Sequence, residues 1–383
     1  MESGIAAGLH HHGPGDAAGI EHGGRLLAAQ RRFPDAPQPF LDLSTGINPV
    51  PYPVPPLPPE AFTRLPEPEA LDGLQAAAAA AYGVADPAMV VAAPGTQALI
   101  SLLPLLLPQR RVTVLGPTYA EHAAAWRNAG VEVRLLLLPP REGWGEGVLA
   151  AERDAEGAAW VRPSVGQFGA SRPPHPNPLP EGEGAGALVL CNPNNPDGRR
   201  IASRDLLDLV GRRPLLVVDE AFADFEPQDS LAPHLPLPGV VVLRSFGKAY
   251  GLAGLRLGFA LAEPALAGRI RAALGPWAVS GPALHIGAAA LTDTAWRDHA
   301  GRRLFADAEA LDDLLRRAGM AVVGGTLLFR LADTQDAARW ADRLGQVGIL
   351  VRSFAEGPTR LRFGLPGTTA DWDRLASALG VPR

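Results

Sequence analysis

The sequence predicts an α/β fold, in which a large domain with a mostly parallel β-sheet is joined to a smaller α+β domain. Short apolar runs that indicate buried strands alternate with helical segments between about residues 70 and 262, and this alternation is typical of a doubly wound parallel sheet. The polar motifs of this region follow the ends of those runs, where α/β sheets bind their ligands. After residue 266, long helices and a hairpin pattern replace the alternation.

Hydrophobic periodicity and turn-forming residues define the predicted elements up to residue 243. Seven prolines between residues 49 and 59 exclude helix and sheet and predict an extended arm. Gly83 is a suitable left-handed stop for the Ala-rich helix before it. The predicted strands begin at Phe40 and cover 89–93, 111–115, 131–138, 158–161, 187–191, 215–218 and 240–243, and the predicted helices cover 71–82, 98–107, 120–129 and 203–212.

The segments after residue 262 predict the smaller domain. Helical patterns come first, and two β-rich runs that follow them indicate a hairpin. The predicted helices cover 264–275, 283–319, 335–346 and 370–379, and the predicted strands cover 321–323, 327–330, 349–352 and 360–366.

Changes in composition divide the chain into four predicted parts. Residues 1–20 are rich in Gly and Ala and are expected to form a flexible tail. Residues 21–60 form an N-terminal arm and part of the small domain, 61–265 form the large domain, and 266–383 form the small C-terminal domain. Within the large domain, the Pro/Gly-rich stretch at 163–186 is predicted to be a surface insertion, because its composition cannot build a packed core.

The composition is that of a globular protein and excludes several classes of partner. Of the 383 residues, 47% are hydrophobic and 20% are charged, and the formal net charge is −5. This charge offers no general attraction to nucleic acid or to an anionic membrane. No signal sequence opens the chain, and no apolar run has the roughly 20 residues of a membrane-spanning helix. The single cysteine, Cys191, excludes an internal disulfide. We therefore expect a cytoplasmic protein.

Lys248 is the only lysine in the chain, since every other residue of the Lys and Arg total of 35 is arginine. A general arginine bias would explain the count. It does not explain the position of this lysine in a Gly-rich stretch, between Ser245 and Arg256. An ε-amine can lose its proton and condense with an aldehyde, whereas a guanidinium cannot. We interpret Lys248 as a Schiff-base lysine.

The residues around this lysine match the requirements of pyridoxal phosphate, which needs an amine, an acid for its ring nitrogen, a donor for its ring oxygen and a phosphate cradle. Asp219 follows a buried apolar run and is a candidate for the acid. Asn195 is a candidate donor, and Tyr119 is a candidate to stack on the ring. Taken singly, a helix-capping Asp, a turn Asn and a core aromatic are equally good interpretations, so the argument depends on their combination.

The phosphate cradle is predicted where a strand, a glycine turn and a helix follow one another. Free backbone N–H groups and the helix dipole converge at such a helix start and attract anions. The turn contains Gly95, Thr96 and Gln97, and Ser245 and Arg256 flank the lysine later in the chain. Three adjacent histidines in the tail lack the spacing of a metal site, and no metal is predicted.

Three motifs together resemble the aspartate-aminotransferase superfamily of fold type I pyridoxal-phosphate enzymes: Asn192–Gly198, Asp219–Phe222 and Ser245–Gly258. The resemblance covers nearly the whole chain from about residue 20. Within this superfamily, His22–Gly24 followed by Leu41–Pro49 is similar to the N-terminal segment of threonine-phosphate decarboxylases of cobalamin biosynthesis, which are relatives of histidinol-phosphate aminotransferases.

The resemblance implies a role for each candidate residue. Toward the cofactor it implies Lys248 on the aldehyde, Asp219 on the pyridine nitrogen, Asn195 on the ring oxygen, Tyr119 as the stacking partner, and Gly95, Thr96, Gln97, Ser245 and Arg256 around the phosphate. Toward the substrate it implies Arg362 on the α-carboxylate and Arg352 on the phosphate, with His22 and Asn48 lining the site. It also implies a homodimer with shared active sites, in which Tyr52 is a candidate to reach the partner's site.

The function implied by the resemblance is decarboxylation of L-threonine O-3-phosphate to (R)-1-amino-2-propanol O-2-phosphate. The alternatives are a histidinol-phosphate-type aminotransferase and, more remotely, a non-enzymatic regulatory module that binds the same cofactor. Two residues depart from the family pattern. Phe222 stands where aminotransferases usually carry a tyrosine, which favours the decarboxylase, and Gly247 replaces the hydroxyl residue usual before the lysine.

Overall fold

The computed structural model describes residues 22–137, 186–355 and 357–382. The predicted tail, the predicted strand at 158–161 and nearly all of the predicted insertion at 163–186 lie outside the described residues.

The helices are α1 Leu26–Arg32, α2 Glu60–Thr63, α3 Pro68–Tyr82, α4 Thr96–Leu106, α5 Ala120–Asn128, α6 Ser203–Leu207, α7 Phe246–Ala249, α8 Pro264–Leu274, α9 Gly281–Thr292, α10 Thr294–Arg317, α11 Ala337–Gln346 and α12 Thr369–Leu379. The strands are β1 Leu41–Leu43, β2 Val90–Ala93, β3 Arg111–Gly116, β4 Glu132–Leu137, β5 Ala187–Cys191, β6 Leu216–Asp219, β7 Val240–Ser245, β8 Gly258–Ala262, β9 Ala321–Thr326, β10 Phe329–Asp333, β11 Ile349–Ser353 and β12 Arg360–Gly364.

The larger sheet has seven strands in the order β2-β8-β7-β6-β5-β3-β4. All neighbouring strands are parallel except β8, which is antiparallel to both β2 and β7. The sequence did not identify β8 as a strand. Because the parallel strands β5, β6 and β7 point the same way, their carboxyl ends meet at one edge of the sheet.

The inner strands of this sheet are buried on both faces, which explains why they are apolar at nearly every position, whereas the edge strand β4 is partly exposed. Along β7, Val240 and Val242 pack into one core while Val241 and Leu243 pack into another. Successive side chains of a strand point to opposite faces, so a sheet covered on both sides needs a continuous apolar run. The predicted strands of this region satisfy that requirement.

The smaller sheet has five strands in the order β1-β11-β12-β10-β9. Its edge strand β1 comes from the N-terminal segment and pairs in parallel with β11, with Leu43 opposite Val351. The other pairs are antiparallel, and β9 and β10 form the predicted hairpin. The N-terminal segment is thus built into the smaller sheet, while the domain boundaries proposed from composition stay predictions.

Two predicted helices differ from the structure. The helix predicted at 203–212 ends at Leu207 and is followed by turns. The helix predicted at 283–319 is two helices, α9 and α10, which separate at Asp293; the side chain of Asp293 accepts a hydrogen bond from the backbone N–H of Trp296 at 2.9 Å. This cap starts a new helix in a sequence without proline or glycine at the break. Within the described ranges, no helix has both the length and the apolar character needed to cross a membrane.

Candidate active site

A cavity of about 280 Å³ lies at the carboxyl ends of β5, β6 and β7, and Arg362 of the smaller sheet also lines it. Cys191, Asp219 and Ser245 are the last residues of these three strands. The predicted site residues that line the cavity are His22, Gly95, Thr96, Gln97, Tyr119, Asn195, Asp219, Ser245, Lys248, Arg256 and Arg362. Asn48 and Arg352 are not among the lining residues.

Lys248 lies in the short helix α7, which follows β7 directly, and its half-buried side chain faces the cavity. Burial lowers the pKa of Lys248; Asp219 opposes this effect, while Arg362 and Arg256 add to it. A lower pKa leaves more of the amine unprotonated near neutral pH, which is the nucleophilic form.

Asp219 is held from behind by a residue that the sequence did not reveal. His122 is buried on α5, and its Nε2 lies 2.9 Å from Asp219 Oδ2. Burial by itself would lower the pKa of His122, but Cys191 and the hydrogen bond to Asp219 outweigh it and raise the pKa to about 10. The charged imidazolium keeps a positive partner beside Asp219. A single buried histidine on a predicted helix is not a specific signal, and only the fold brings it to Asp219.

His122, Cys191 and Asp219 place one potential metal-ligand atom each within 4.8 Å of one another. The hydrogen bond between His122 and Asp219 already accounts for this cluster. This hydrogen bond orients the carboxylate of Asp219, and an oriented carboxylate is what the ring nitrogen of the cofactor needs.

The start of α4 has the features of a phosphate cradle. No side chain caps this helix at Gly95, whose φ is +85°. A Cβ at Gly95 would lie 2.6 Å from Arg256 Nη2, and a Cβ at Gly258 would lie 2.6 Å from the backbone nitrogen of Thr96. Glycine at both positions lets a guanidinium and backbone N–H groups approach the same place. With Ser245 in the lining, these residues fit the phosphate of pyridoxal phosphate.

The sequence departs from the family pattern at Gly247 and Phe222, and the packing around each residue shows what the departure does. A Cβ at Gly247 would lie 2.7 Å from the Cα of Ala253, so the turn has no room for a side chain before Lys248. Phe222 packs edge to face against Phe329 at a centroid distance of 5.0 Å, and Lys248 Nζ lies 5.9 Å from the centroid of its ring. The cavity wall at Phe222 is therefore apolar.

Arg362 on β12 provides a buried cation with a free donor. Its Nη2 donates to Ser44 O at 2.8 Å and its Nη1 donates to Asn195 Oδ1. Its Nε has no hydrogen-bond partner among the described residues. Burial, with a further contribution from nearby Arg352, lowers the pKa of Arg362 to about 10. A buried guanidinium with an unpaired N–H suits an anionic ligand group.

Arg352 lies directly opposite Arg362 on the neighbouring strand β11. The pair therefore shares one face of the smaller sheet, although only Arg362 lines the cavity. Two adjacent guanidinium groups with like charge favour an anion with more than one negative charge.

A small polar network closes the cavity next to Tyr119. His22 Nε2 lies 2.8 Å from Glu121 Oε1, and Glu121 Oε2 accepts a hydrogen bond from Gln97 at 3.3 Å. Gln97 Oε1 in turn accepts from Tyr119 Oη at 3.2 Å. Burial raises the pKa of Tyr119, so its hydroxyl stays protonated and acts as the donor in this bond.

Two residues that were predicted at the site have other positions. Asn48 does not face the cavity, because its amide is used in hydrogen bonds to Ala249 O and from Arg303. The ring of Tyr52 is buried against Tyr250 and Trp296 of its own chain, and its reach to a partner's site stays a prediction. Both residues hold the backbone around Lys248, residues 247–254, which we call the lysine turn.

The fold, together with a half-buried lysine, a buried carboxylate and an uncapped helix start at one sheet edge, defines the class of protein: a pyridoxal-phosphate enzyme of fold type I. The chain belongs to the aminotransferase class I and II family, which matches residues 59–379. The predicted fold class and the predicted superfamily are confirmed.

Comparison with curated proteins gives two relatives across almost the whole chain. A threonine-phosphate decarboxylase of Pseudomonas aeruginosa is 43% identical over 94% of this chain and 97% of its own length. A threonine-phosphate decarboxylase of a Sinorhizobium species is 40% identical over 95% of this chain and 98% of its own. A histidinol-phosphate aminotransferase of Symbiobacterium thermophilum is 33% identical over 72% of this chain and 67% of its own.

Solved structures agree on the fold. A histidinol-phosphate aminotransferase of Sinorhizobium meliloti, in complex with pyridoxal-5′-phosphate, superposes with a TM-score of 0.70 at 22% identity, covering 92% of this chain and 93% of that one. An L-threonine-O-3-phosphate decarboxylase of Porphyromonas gingivalis gives a TM-score of 0.64 at 21% identity, covering 89% and 98%. At these identities the likeness establishes the fold alone.

Proposed function

We propose that this protein decarboxylates L-threonine O-3-phosphate to (R)-1-amino-2-propanol O-2-phosphate, a step of cobalamin biosynthesis, with pyridoxal phosphate as its cofactor. The observation that carries the proposal is the identity of at least 40% to two threonine-phosphate decarboxylases across at least 94% of this chain. The cavity supports it with an amine, a buried carboxylate, a phosphate cradle and a buried guanidinium.

The cofactor would be held by residues that already face one another. Lys248 takes the aldehyde, Asp219 holds the proton on the ring nitrogen, and Tyr119 and Asn195 contact the ring. Thr96, Ser245 and Arg256 bind the phosphate, together with the helix start at Gly95 and Gln97. When bound, pyridoxal phosphate supplies a protonated ring that accepts the electron pair left at Cα when a bond to that carbon breaks.

The substrate would be oriented by the two arginines of the smaller sheet. Arg362 binds the α-carboxylate and fixes the direction of the Cα–carboxylate bond, and Arg352, with His22 at the cavity mouth, binds the phosphate. The Cα–carboxylate bond breaks and CO₂ leaves. Lys248 Nζ, which the substrate amine would have displaced from the aldehyde, would then deliver a proton to Cα; burial lowers the pKa of this amine, which favours release of its proton.

The proposal includes a homodimer that works in the cytoplasm, without nucleic-acid or membrane partners. Support for a second copy comes from apolar side chains that one chain leaves in solvent. Val54 is 51% exposed, Phe62 69%, Leu65 64% and Trp277 58%. Single exposed apolar residues are ordinary, but Phe62 and Leu65 are only three positions apart, and exposed apolar residues that cluster favour a partner. Support for a reducing compartment is that Cys191 is a free thiol.

The rival function is amino transfer from histidinol phosphate, and one relative of that name is 33% identical. It would use the same cofactor site and the same arginines. The apolar wall at Phe222 favours the decarboxylase, because it removes a hydroxyl donor from the ring environment. The identity of at least 40% to two decarboxylases over nearly the whole chain argues against a regulatory module.

The decisive experiment follows CO₂ release from L-threonine O-3-phosphate by protein loaded with pyridoxal phosphate, with and without a 2-oxo acid. We expect CO₂ in both reactions. Absence of CO₂, together with amino transfer from histidinol phosphate to the oxo acid, would assign the protein to the aminotransferases instead.

Replacement of Lys248 by Ala tests the role of the amine. We expect the activity to fall by at least about a thousandfold, because both covalent capture of the cofactor and proton transfer are lost. Borohydride reduction of the loaded wild type should attach the cofactor to the peptide that contains residue 248, and mass spectrometry should find no such peptide in the variant. Wild-type activity in Lys248→Ala would contradict the proposed mechanism.

A further inference from the structure

The helix that carries Lys248 ends almost immediately after it. Helix α7 has four residues, Phe246–Ala249, and a helix end leaves its last carbonyl groups without partners inside the helix. The carbonyls of Lys248, Ala249 and Tyr250 therefore need donors from elsewhere. In a cavity wall, the position of these groups decides where the side chain of Lys248 points.

The segment Asn48–Tyr52, which we call the strap, supplies these donors. Asn48 N donates to Lys248 O at 2.9 Å, and Asn48 Nδ2 donates to Ala249 O at 2.9 Å. Tyr52 N donates to Tyr250 O at 2.9 Å. The strap and the backbone at Gly251 lie in direct contact, since a Cβ at Gly251 would be 2.7 Å from both Asn48 O and the Cα of Pro51.

Asn48 is itself held from α10, the long helix that leads into the smaller sheet. Its Oδ1 accepts a hydrogen bond from Arg303 Nη2 at 2.5 Å, and from Val50 N at 3.1 Å. Arg303 is oriented by a second bond, from its Nη1 to Asp307 Oδ2 at 2.7 Å. Asn48 is buried, so these bonds are made in a medium where an unpaired polar group is costly.

We infer that Asn48 is a positioning residue for Lys248: it fixes the main chain of the lysine turn and links that turn, through Arg303, to helix α10. The inference rests on Lys248 being the reactive amine of the proposed function. Asn48 does not touch the cavity and takes no part in the chemistry. Its effect is to keep Lys248 facing Asp219.

The single lysine gives a direct measurement, because an amine reagent can modify only Lys248 and the α-amine of the chain. The cofactor-free protein is treated with limiting acetic anhydride over a range of pH, and mass spectrometry follows the peptide with residue 248. The midpoint of this profile reports the ionisation of Lys248 among its charged neighbours: Asp219 of β6, Arg256 of the following turn and Arg362 of β12. The α-amine is the internal standard.

Asn48→Ala should loosen the turn and admit water. We expect the labelling midpoint to move upward, toward the value near 10.4 of a free lysine, by about 0.5 pH unit or more. Arg303→Met, which leaves the bonds from Asn48 to the turn in place, should shift it in the same direction by less. In the loaded enzyme, kcat should fall about tenfold while KM stays within about twofold.

Arg374→Met is the matched control, since Arg374 also anchors the N-terminal segment through bonds to Pro37 O and Pro39 O, away from the lysine turn. It should reduce stability without moving the midpoint. Asn48→Asp keeps the acceptor for Arg303 but removes the donor to Ala249 O, and serves if Asn48→Ala does not fold.

Folded Asn48 and Arg303 variants with the wild-type labelling profile would overturn the inference. Failure of the proposed function would appear separately, as a lack of CO₂ release in the wild type.

Discussion

Asp219 and His122 form a buried pair beside the cavity, and in the proposed function Asp219 holds the proton on the ring nitrogen of the cofactor. Their side chains approach to 2.9 Å from β6 and α5, and both are buried. Because the folded state raises the pKa of His122 to about 10 from a value near 6.5, the folded protein binds a proton that the unfolded chain releases above pH 6.5. The charge on His122 therefore contributes stability below pH 6.5 and loses that contribution as the pH rises through 10.

His122→Asn should remove this pH dependence. We expect the free energy of unfolding of the cofactor-free wild type to fall between pH 6.5 and 10, with a slope of at most about 1.4 kcal/mol per pH unit for one proton. The variant should be less stable at pH 6.5 and show a flatter profile, measured by urea denaturation at several pH values. His234→Asn, at an exposed position, is the control. An unchanged slope in His122→Asn would mean that another group causes the dependence.

In the proposed function, Arg362 binds the carboxylate of the substrate. Its removal should reduce kcat/KM for L-threonine O-3-phosphate by about 10- to 100-fold, because a charge-assisted contact to the carboxylate is lost. Steady-state kinetics of Arg362→Met would measure this. Arg360→Met is a control on the same strand, where Arg360 pairs with Asp333 at 3.9 Å outside the cavity. Equal losses in both variants would remove Arg362 from the substrate site.

At the scale of the element, the glycines of the lysine turn differ in how closely they are packed. Gly247 is packed against the backbone of Ala253, whereas a Cβ at Gly254 would meet no atom within 4 Å. Close packing thus requires glycine at position 247, where the family usually has a hydroxyl residue. The hydroxyl is absent because the turn has no room for a side chain there.

Gly247→Ser tests this account of the turn. We expect the free energy of unfolding to fall by roughly 1–3 kcal/mol, because the new side chain must displace backbone atoms. Gly254→Ser should change it by less than about 0.5 kcal/mol. Urea denaturation of the cofactor-free proteins measures both. Full stability in Gly247→Ser, with tighter cofactor binding, would show that the turn can accept the hydroxyl after all.

At the scale of the whole molecule, both sheets contribute residues to the cavity. The larger sheet provides the lysine and the acid, and the smaller sheet provides Arg362 through β12. The N-terminal segment joins both, since it pairs as β1 with β11 and then continues as the strap over the lysine turn. One stretch of chain therefore couples the substrate side of the site to the cofactor side.

The proposed homodimer makes a prediction at this scale. Phe62 and Leu65 are exposed beside the start of α9, where a Cβ at Gly281 would lie 2.2 Å from Ala61 O. Light scattering of the wild type should give twice the mass of one chain, and the double variant Phe62→Asp, Leu65→Asp should give a monomer, because buried charges oppose association. Leu27→Asp, at a residue that is 71% exposed on α1, should leave the dimer intact. A monomeric wild type would contradict the proposal.

The sequence by itself determined the features that depend on local order or on the chemistry of one residue. Continuous apolar runs predicted β5, β6 and β7, the hairpin of β9 and β10 followed from its two β-rich segments, and the unique amine of Lys248 identified the cofactor. Residues such as Asp219 and Ser245 were found because they end strands, and a parallel sheet brings strand ends together. Periodicity and side-chain chemistry are properties of the chain before it folds.

The tertiary structure alone decided the contacts between distant segments. The pairing of His122 with Asp219, the antiparallel direction of β8 and the break between α9 and α10 leave no specific trace in the local pattern. Asn48 shows most clearly what the sequence could not predict. Its motif predicted a substrate contact, but its side-chain amide donates a hydrogen bond to Ala249 O, 201 positions away. A buried polar group must find partners wherever the packed chain provides them, so its role is fixed by packing and not by its neighbours in sequence.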